Sequence, residues 1–285
     1  MKALFCTDGS KISYDALENY LNLADKSIII DIISVIDWSF LPDGVVLEDS
    51  GFVTSCQNLA DDTLEHTKEI IKKYGFKAGV LIKRCGVVTE SILEQLESEK
   101  YTTVIMGSHG KKGIQRWLGS VSREIIESAK VPVYLSKNRQ CCKRVLFTTD
   151  GSNLAIDTTQ HALQNLNLKE CEIYICSVSE SAELIFLNGT FDENWMKSIQ
   201  YQQTSFANAA IEKIKTIFNG YNIKECDILT GIPAQSILKY AKEKEINLIV
   251  IGSKRKTKIQ RFLLDSTSKR IIENSNCDTF VNFML

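Results

Sequence analysis

Leu4-Phe5-Cys6-Thr7-Asp8-Gly9-Ser10 and Leu146-Phe147-Thr148-Thr149-Asp150-Gly151-Ser152 decide the architecture of this 285-residue chain. Each is a short apolar run closed by Asp-Gly-Ser, and from Asp8 to Asp150 the interval is 142 residues, about half the chain. A segment that returns at such an interval marks a duplicated unit. The apolar run reads as a buried strand, Asp-Gly-Ser as the turn behind it, and Ser10 as the N-cap of a following helix. Wherever the copies differ, one can have kept a site that the other lost.

Working outward from the first copy, Lys2–Cys6 is strand one, and Ala16, Leu17, Tyr20 and Leu21 recur at helical spacing. Ile28–Ile36 is a second strand, rich in Ile on both faces as a covered parallel strand requires. The spacing then predicts a helix over Leu59–Tyr74, a strand over Val80–Lys83, a helix over Thr89–Glu99, a strand over Thr103–Met106, a helix over Ser120–Ala129 and a strand over Val131–Leu135. The second copy repeats the order. Its strands are Val145–Thr148, Glu172–Val178, Glu225–Leu229, Leu248–Ile251 and Thr279–Phe283, with helices near Asp157–Leu166, Gln200–Phe218, Ala234–Glu243 and Thr267–Asn274. Alternation of strand and helix implies an α/β fold, two tandem open parallel sheets with right-handed crossovers. The boundary falls in the polar stretch Lys137–Lys143, giving domains 1–139 and 140–285.

Composition narrows the function. Hydrophobic residues make up 44% and charged ones 24%, and the formal net charge is −1, so the whole molecule is no general binder of polyanions. Asp31 interrupts the Ile-rich run at 28–36, and no stretch reaches membrane-span length. Met1–Cys6 turns polar at Thr7-Asp8-Gly9, so no signal-peptide core is read there, and a cytoplasmic address without membrane is expected. The nine cysteines include no Cys-x-x-Cys, and with only three histidines they read as reduced, mostly buried thiols. The adjacent pair Cys141-Cys142 near the junction has an alternative reading as a redox-sensitive linker.

Ligands of open parallel sheets sit beyond the carboxyl ends of strands, where strand order reverses. Two loops of the first copy fall at such ends. One is Thr7-Asp8-Gly9-Ser10. The other runs Met106-Gly107-Ser108-His109-Gly110-Lys111-Lys112-Gly113-Ile114-Gln115-Arg116-Trp117-Leu118-Gly119-Ser120-Val121-Ser122. Its glycines let main-chain amides approach an anion, and Gly119-Ser120 opens a helix whose free N–H groups favour phosphate. Lys111 and Lys112 are equally well read as phosphate partners or as a solvated pair. Trp117 reads as packing its loop.

Asp-Gly-Ser after strand one, Ile33-Ser34-Val35-Ile36-Asp37 ending strand two, and Gly-Ser-His-Gly…Gly-Ser-Val-Ser after strand four together resemble the universal stress protein family. The likeness covers nearly the whole chain as two tandem units. It implies a Rossmann-like sheet, of the adenine nucleotide alpha hydrolase type, with strand order 3-2-1-4-5. It further implies ATP, or AMP or ADP, in the N-terminal unit, with Mg or Mn accompanying the nucleotide. On that resemblance Asp8 holds the ribose hydroxyls or, indirectly, the metal, and Val35 meets adenine through its backbone. Met106 and Gly107 flank the nucleoside, while Gly110, Gly119, Ser120, Val121 and Ser122 cradle phosphates. Thr7, Ser108 and His109 complete the expected cofactor-binding set.

Two departures from the family's Gly-x2-Gly-x9-Gly-Ser/Thr loop carry expectations. In the first copy Lys111–Leu118 supplies eight residues in place of nine. In the second, Gly252-Ser253-Lys254-Arg255 keeps only the first glycine, and Asp265-Ser266 replaces Gly-Ser. A carboxylate at that point repels phosphate, so the second unit is expected not to take ATP in the family's manner. No Walker lysine, placed general base or carboxylate pair is readable, and no catalytic residue is assigned. The expectation is a nucleotide-binding regulator of stress response. The alternatives are a nucleotide-free interaction protein and a slow metal-dependent ATPase working at Asp8. An adenylating enzyme would need a Ser-Gly-Gly-x-Asp-Ser-type or His-x-Gly-His loop, and neither occurs.

The expected partners are an adenine nucleotide, an intramolecular pseudo-dimer of the two units through their last strands, a homodimer, and an unidentified protein. The basic run Lys254-Arg255-Lys256-Thr257-Lys258, followed by Arg261, has no interleaved aromatic platform, so nucleic acid is not expected. Trp38–Val53 and Glu183–Trp195, which follow strand two in each copy, are read as site caps or partner surfaces.

Overall fold

In the computed structural model, residues 1–37, 51–109, 118–180, 193–254 and 265–284 are described. They divide into two compact units, Met1–Gln140 and Cys141–Leu285. The first unit runs β1 (Lys2–Cys6), α1 (Lys11–Leu23), β2 (Ile29–Asp37), α2 (Gly51–Lys73), β3 (Lys77–Gly86), α3 (Val88–Ser98), β4 (Thr103–Gly107), α4 (Ser120–Ser128) and β5 (Val133–Ser136). The second runs β6 (Arg144–Thr148), α5 (Asn153–Asn165), β7 (Glu172–Ser179), α6 (Glu193–Lys215), β8 (Asn222–Thr230), α7 (Pro233–Glu243), β9 (Leu248–Lys254), α8 (Ser266–Asn274) and β10 (Asp278–Met284).

Strand order is β3-β2-β1-β4-β5 in the first unit and β8-β7-β6-β9-β10 in the second, the same 3-2-1-4-5 arrangement twice. All these pairings are parallel. β1 neighbours both β2 (Cys6 opposite Ile33) and β4 (Phe5 opposite Ile105). The order therefore reverses between β1 and β4, and their carboxyl ends open a crevice. β6 and β9 do the same in the second unit, with Phe147 opposite Val250.

The core explains why these segments are strands. Ala3, Leu4, Phe5, Ile30, Ile32, Val104 and Ile105 have no exposed surface, so helices must cover both faces of the first sheet. Each such Ile or Leu contributes about 1.5–3 kcal/mol on burial. The α1 residues Ala16, Leu17 and Tyr20 are fully buried at helical spacing, and Tyr20 meets Tyr134 edge to face at 5.2 Å between ring centroids. In the second unit a different edge-to-face pair, Phe147 on β6 and Phe218 beyond α6, stands at 4.7 Å.

Asp31, which interrupts the apolar run, is 1% exposed and fully partnered. Its Oδ1 accepts from the Val80 N–H at 2.9 Å, and its Oδ2 accepts from the Tyr101 hydroxyl at 2.9 Å and lies 3.1 Å from Lys2 Nζ. A Cβ at residue 79 would stand 2.0 Å from Asp31 Oδ1, so only glycine fits there. The same charge raises the pKa of both partners. The Lys2 ammonium is held above its usual value by its bond to Asp31, and the Tyr101 phenol is raised first by burial.

The structure extends several predicted elements. β3 covers ten residues where Val80–Lys83 was expected, and β8 covers nine. Both are outer strands of their unit's order, half-exposed along their length, so Lys, Arg and Glu stand where an apolar run would otherwise signal a strand. α2 and α6 each begin seven or eight residues earlier than their apolar periodicity indicates. β5 begins at Val133, two residues after the expected start, and the Pro132 carbonyl just before it accepts from the Val104 N–H of β4. Ser10 caps α1 as expected, its hydroxyl accepting from the Ser13 N–H. The eight described cysteines are all free thiols, with Cys6, Cys171, Cys176 and Cys277 buried. Among the described residues no helix is long and apolar enough to cross a membrane.

Candidate functional site

The first crevice is built from the carboxyl ends of β1, β2 and β4. Gly9 takes φ 70, a left-handed turn that glycine adopts without strain. That turn lets the Thr7 hydroxyl accept from the Gly9 N–H (3.1 Å) and Asp8 Oδ1 accept from the Ser10 N–H (3.0 Å). Thr7 is buried, donates its own N–H to the Ile33 carbonyl at 3.0 Å, and pairs with the Ser13 hydroxyl at 2.9 Å. Asp8 stays exposed at the crevice mouth. Val35, two residues beyond Ile33, is half-buried at the end of β2.

Across the reversal, Met106 is buried and Gly107 ends β4. A Cβ at Gly107 would come within 3.2 Å of the Ile12 main chain, so the glycine lets the start of α1 press against the strand end. Ser108 is 4% exposed, donates its N–H to the Ser136 carbonyl and shares a 3.0 Å hydrogen bond with His109 Nδ1. His109 thus sits beside a buried hydroxyl as a loop anchor. Gly119 returns to this point, its N–H donating to the Ser108 carbonyl at 2.8 Å. It is also the N-cap of α4, and no side chain caps that helix. Ser122 turns inward, its hydroxyl donating to the Gly107 carbonyl at 2.8 Å, while Ser120 is exposed. The structure therefore gathers Thr7, Asp8, Val35, Met106, Gly107, Ser108, His109, Gly119, Ser120, Val121 and Ser122 at the carboxyl ends of adjacent strands. Gly110, Lys111, Lys112 and Trp117 lie outside the described residues.

The second crevice repeats the frame and changes the charge. Gly151 takes φ 74, Asp150 Oδ1 accepts from the Ser152 N–H (3.0 Å), and the Thr149 hydroxyl accepts from the Gly151 N–H (3.0 Å). Asp265 stands where Gly119 stands in the first unit, and it is a side-chain N-cap. Its Oδ1 accepts from the N–H groups of Thr267 (3.0 Å) and Ser268 (2.9 Å). Its Oδ2 accepts from the Ser268 hydroxyl (2.6 Å), the Ser253 hydroxyl (3.0 Å) and the Lys254 N–H (3.2 Å). Five donors that could meet an anion are thus turned onto an internal carboxylate.

Lys254 extends instead to Asp150, 3.3 Å away. Burial pushes the Asp150 carboxyl up, but the Ser152 donors and Lys254 outweigh it and leave the group below the usual carboxylate range. Sequence reasoning identified the charge of Asp265 but not its capping role or its Ser253 and Ser268 partners. The signal was available, since Asp directly before a helix is among the best N-caps. Of the basic run from Lys254 to Arg261, only Lys254 is described. The proposed caps at 38–50 and 183–192 also lie outside the described residues, although Trp195 is 42% exposed at the start of α6.

Two α/β units with parallel sheets of order 3-2-1-4-5, each opening a crevice at its strand reversal, place the chain among tandem Rossmann-like proteins. A model of the universal stress protein family matches residues 1–137 and again 142–281, and the chain belongs to that family as a tandem of two units. It is similar to universal stress protein MJ0531 of Methanocaldococcus jannaschii, 26% identical over 140 residues, 49% of this chain and 81% of that protein. Universal stress protein MJ0577 of the same organism is 29% identical over 147 residues, 47% of this chain and 90% of that protein. A universal stress protein structure from Archaeoglobus fulgidus shares the fold, with a TM-score of 0.71 at 23% identity over 99% of this chain and 98% of that one.

Proposed function

We propose that the N-terminal unit binds an adenine nucleotide, ATP first and AMP or ADP with it, and that the chain is a nucleotide-responsive regulator of a stress response. The observation that carries this reading is the start of α4. Gly119 leaves the first turn of that helix without a side-chain cap, at the strand reversal and at the ends of the strands that carry Asp8 and Val35. Uncapped helix amides with the helix dipole behind them are a phosphate site. Ser120, Val121 and Ser122 supply those amides, Asp8 reaches the ribose, and the Val35 main chain meets the base.

Among the described residues no group of three His, Cys, Asp or Glu could hold a metal ion. One carboxylate, Asp8, is a weak donor set for a hard cation, so Mg or Mn is expected to arrive on the polyphosphate. The output of such a regulator goes to a protein partner or to a second copy of the chain.

Calorimetric titration of the whole chain with ATP and Mg tests the reading. The expected result is one site per chain, weakened at least about tenfold by Asp8→Ala, with no sustained phosphate release from the same samples. No binding at all, or two equal sites, overturns it. Rapid metal-dependent turnover lost in Asp8→Ala replaces it with an ATPase.

A further inference from the structure

The second unit has a crevice that the nucleotide reading leaves without a task. Among the described residues it encloses a cavity of about 390 Å³ between the ends of β6, β7 and β9 and the starts of α5, α7 and α8. That volume lies in the range of about 300–1,000 Å³ typical of small-molecule sites. Buried Leu154, Ile237 and Ile251 form apolar wall, and Thr149 and Ser177, 7% and 4% exposed, place hydroxyls along it.

The base-facing part of the frame is preserved. Thr149 donates its N–H to the Cys176 carbonyl at 2.9 Å just as Thr7 donates to Ile33, so Ser177-Val178 occupies the place of Ser34-Val35. The anion-facing part is reversed. The Asp265 carboxylate has drawn in the first-turn amides of Thr267 and Ser268 and the hydroxyls of Ser253 and Ser268, and Asp150 and Glu180 add two further carboxylates to the lining. The one described cation of the wall, Lys254, is paired with Asp150.

We propose that this second crevice binds an uncharged purine nucleoside and excludes its phosphate esters, with Asp265 as the discriminating group. An entering phosphate would find its donors occupied and a negative charge in their place, whereas a nucleoside loses nothing by that arrangement. The proposal takes its choice of base from the nucleotide reading of the first unit. It takes its exclusion of phosphate from the second unit alone. One chain would then sense two ligands that differ by a phosphate group.

Equilibrium dialysis of the whole chain with labelled adenosine and labelled AMP tests it. Thr267→Trp places an indole at the half-exposed cavity rim, and Asp265→Gly recreates the first unit's pattern. The expected result is that Thr267→Trp removes one adenosine site per chain and leaves AMP binding unchanged, while Asp265→Gly gains one AMP site. Equal adenosine binding by the wild type and a folded Thr267→Trp chain overturns the proposal, as does a second AMP site in the wild type. A folded Asp265→Gly chain that gains no AMP overturns the role of Asp265. Should Asp265→Gly fail to fold, Asp265→Asn keeps an N-cap without the charge. It is expected to raise AMP affinity in the second crevice at least about tenfold, and no change overturns the same role. Adenosine bound once and lost in Thr267→Trp, with no AMP bound anywhere, would sustain this inference while the nucleotide reading of the first unit fails.

Discussion

The two units share strand order, turn geometry and even the individual hydrogen bonds of the Asp-Gly-Ser turn, yet they treat the start of the last helix in opposite ways. In the first, Gly119 leaves α4 without a side-chain cap. In the second, the Asp265 carboxylate collects five donors at the start of α8. The neighbouring serines follow suit. Ser122 donates to the Gly107 carbonyl, and Ser268 donates to Asp265. A helix N-terminus can be satisfied from within or reserved for a ligand, and a single residue decides which. A fold can therefore be conserved through duplication while its chemistry at one end is inverted.

The largest expected effect comes from imposing the second pattern on the first. Gly119→Asp should cap α4 with its own carboxylate and lower ATP affinity by about 100-fold, or about 2.7 kcal/mol. Stability should change by only a few tenths of a kcal/mol, since glycine is itself an acceptable N-cap. Calorimetry paired with urea unfolding separates the two quantities. Unchanged ATP affinity in a folded Gly119→Asp chain would break the comparison at its centre.

Much of this contrast was legible in the residues. β1, β2 and β4 announce themselves because both faces of a central parallel strand are covered, leaving long runs of Ile, Val and Leu. β3 and β8 announce only part of their length, Val80–Lys83 and Glu225–Leu229, since a half-exposed strand mixes residues such as Lys77, Arg84 and Lys224 into its ends. The two loops of the candidate site were read through turn chemistry, and the role of each residue in them came from the family resemblance. Asp8-Gly9-Ser10 requires the left-handed conformation that Gly9 adopts, and Gly119-Ser120 has the composition of a helix start. Asp265 was legible as a charge but not as the hub of a network. A network of that kind depends on Ser253 and Ser268, which come near each other only when β9 and α8 pack, and no local pattern carries that information. The partnering of Asp31 by Tyr101 and Val80 was hidden for the same reason.

A smaller effect sharpens the comparison from the other side. Asp265→Ala removes a cap worth about 1 kcal/mol and takes the acceptor of the fully buried Ser253 hydroxyl, while the equally buried Ser268 hydroxyl keeps Ser253 as its acceptor at 2.7 Å. A buried donor left unpaired costs about 1–3 kcal/mol. The local loss should reach about 2 kcal/mol, and the amides of Thr267 and Ser268 should exchange about 30-fold faster with deuterium. Gly119→Ala in the first unit places its Cβ in ordinary contact with His109 at 3.4 Å and strands nothing. Exchange at the start of α4 should therefore change much less. Equal responses in the two helices would mean that the Asp265 network does not hold α8.

The smallest expected effect concerns Asp150 and Lys254, a pair the first unit replaces with Asp8 and His109. The Asp150 carboxyl lies below the ordinary range, because the Ser152 donors and Lys254 outweigh its burial. A depressed folded value means that this group stabilises the unit above the unfolded carboxylate pKa of about 3.9, and that the contribution is lost as pH falls through the folded value. Both side chains are 60% exposed, so solvent screening limits the pair to about 0.2–1 kcal/mol. Lys254→Met should move the Asp150 titration upward, toward the ordinary carboxylate value, as followed by carboxyl carbon NMR, and added salt should shift the wild type in the same direction. A titration that ignores both changes would assign the depression to the Ser152 donors alone. The Asp150–Lys254 pair would then add nothing to the contrast between the units, which would reside at Gly119 and Asp265.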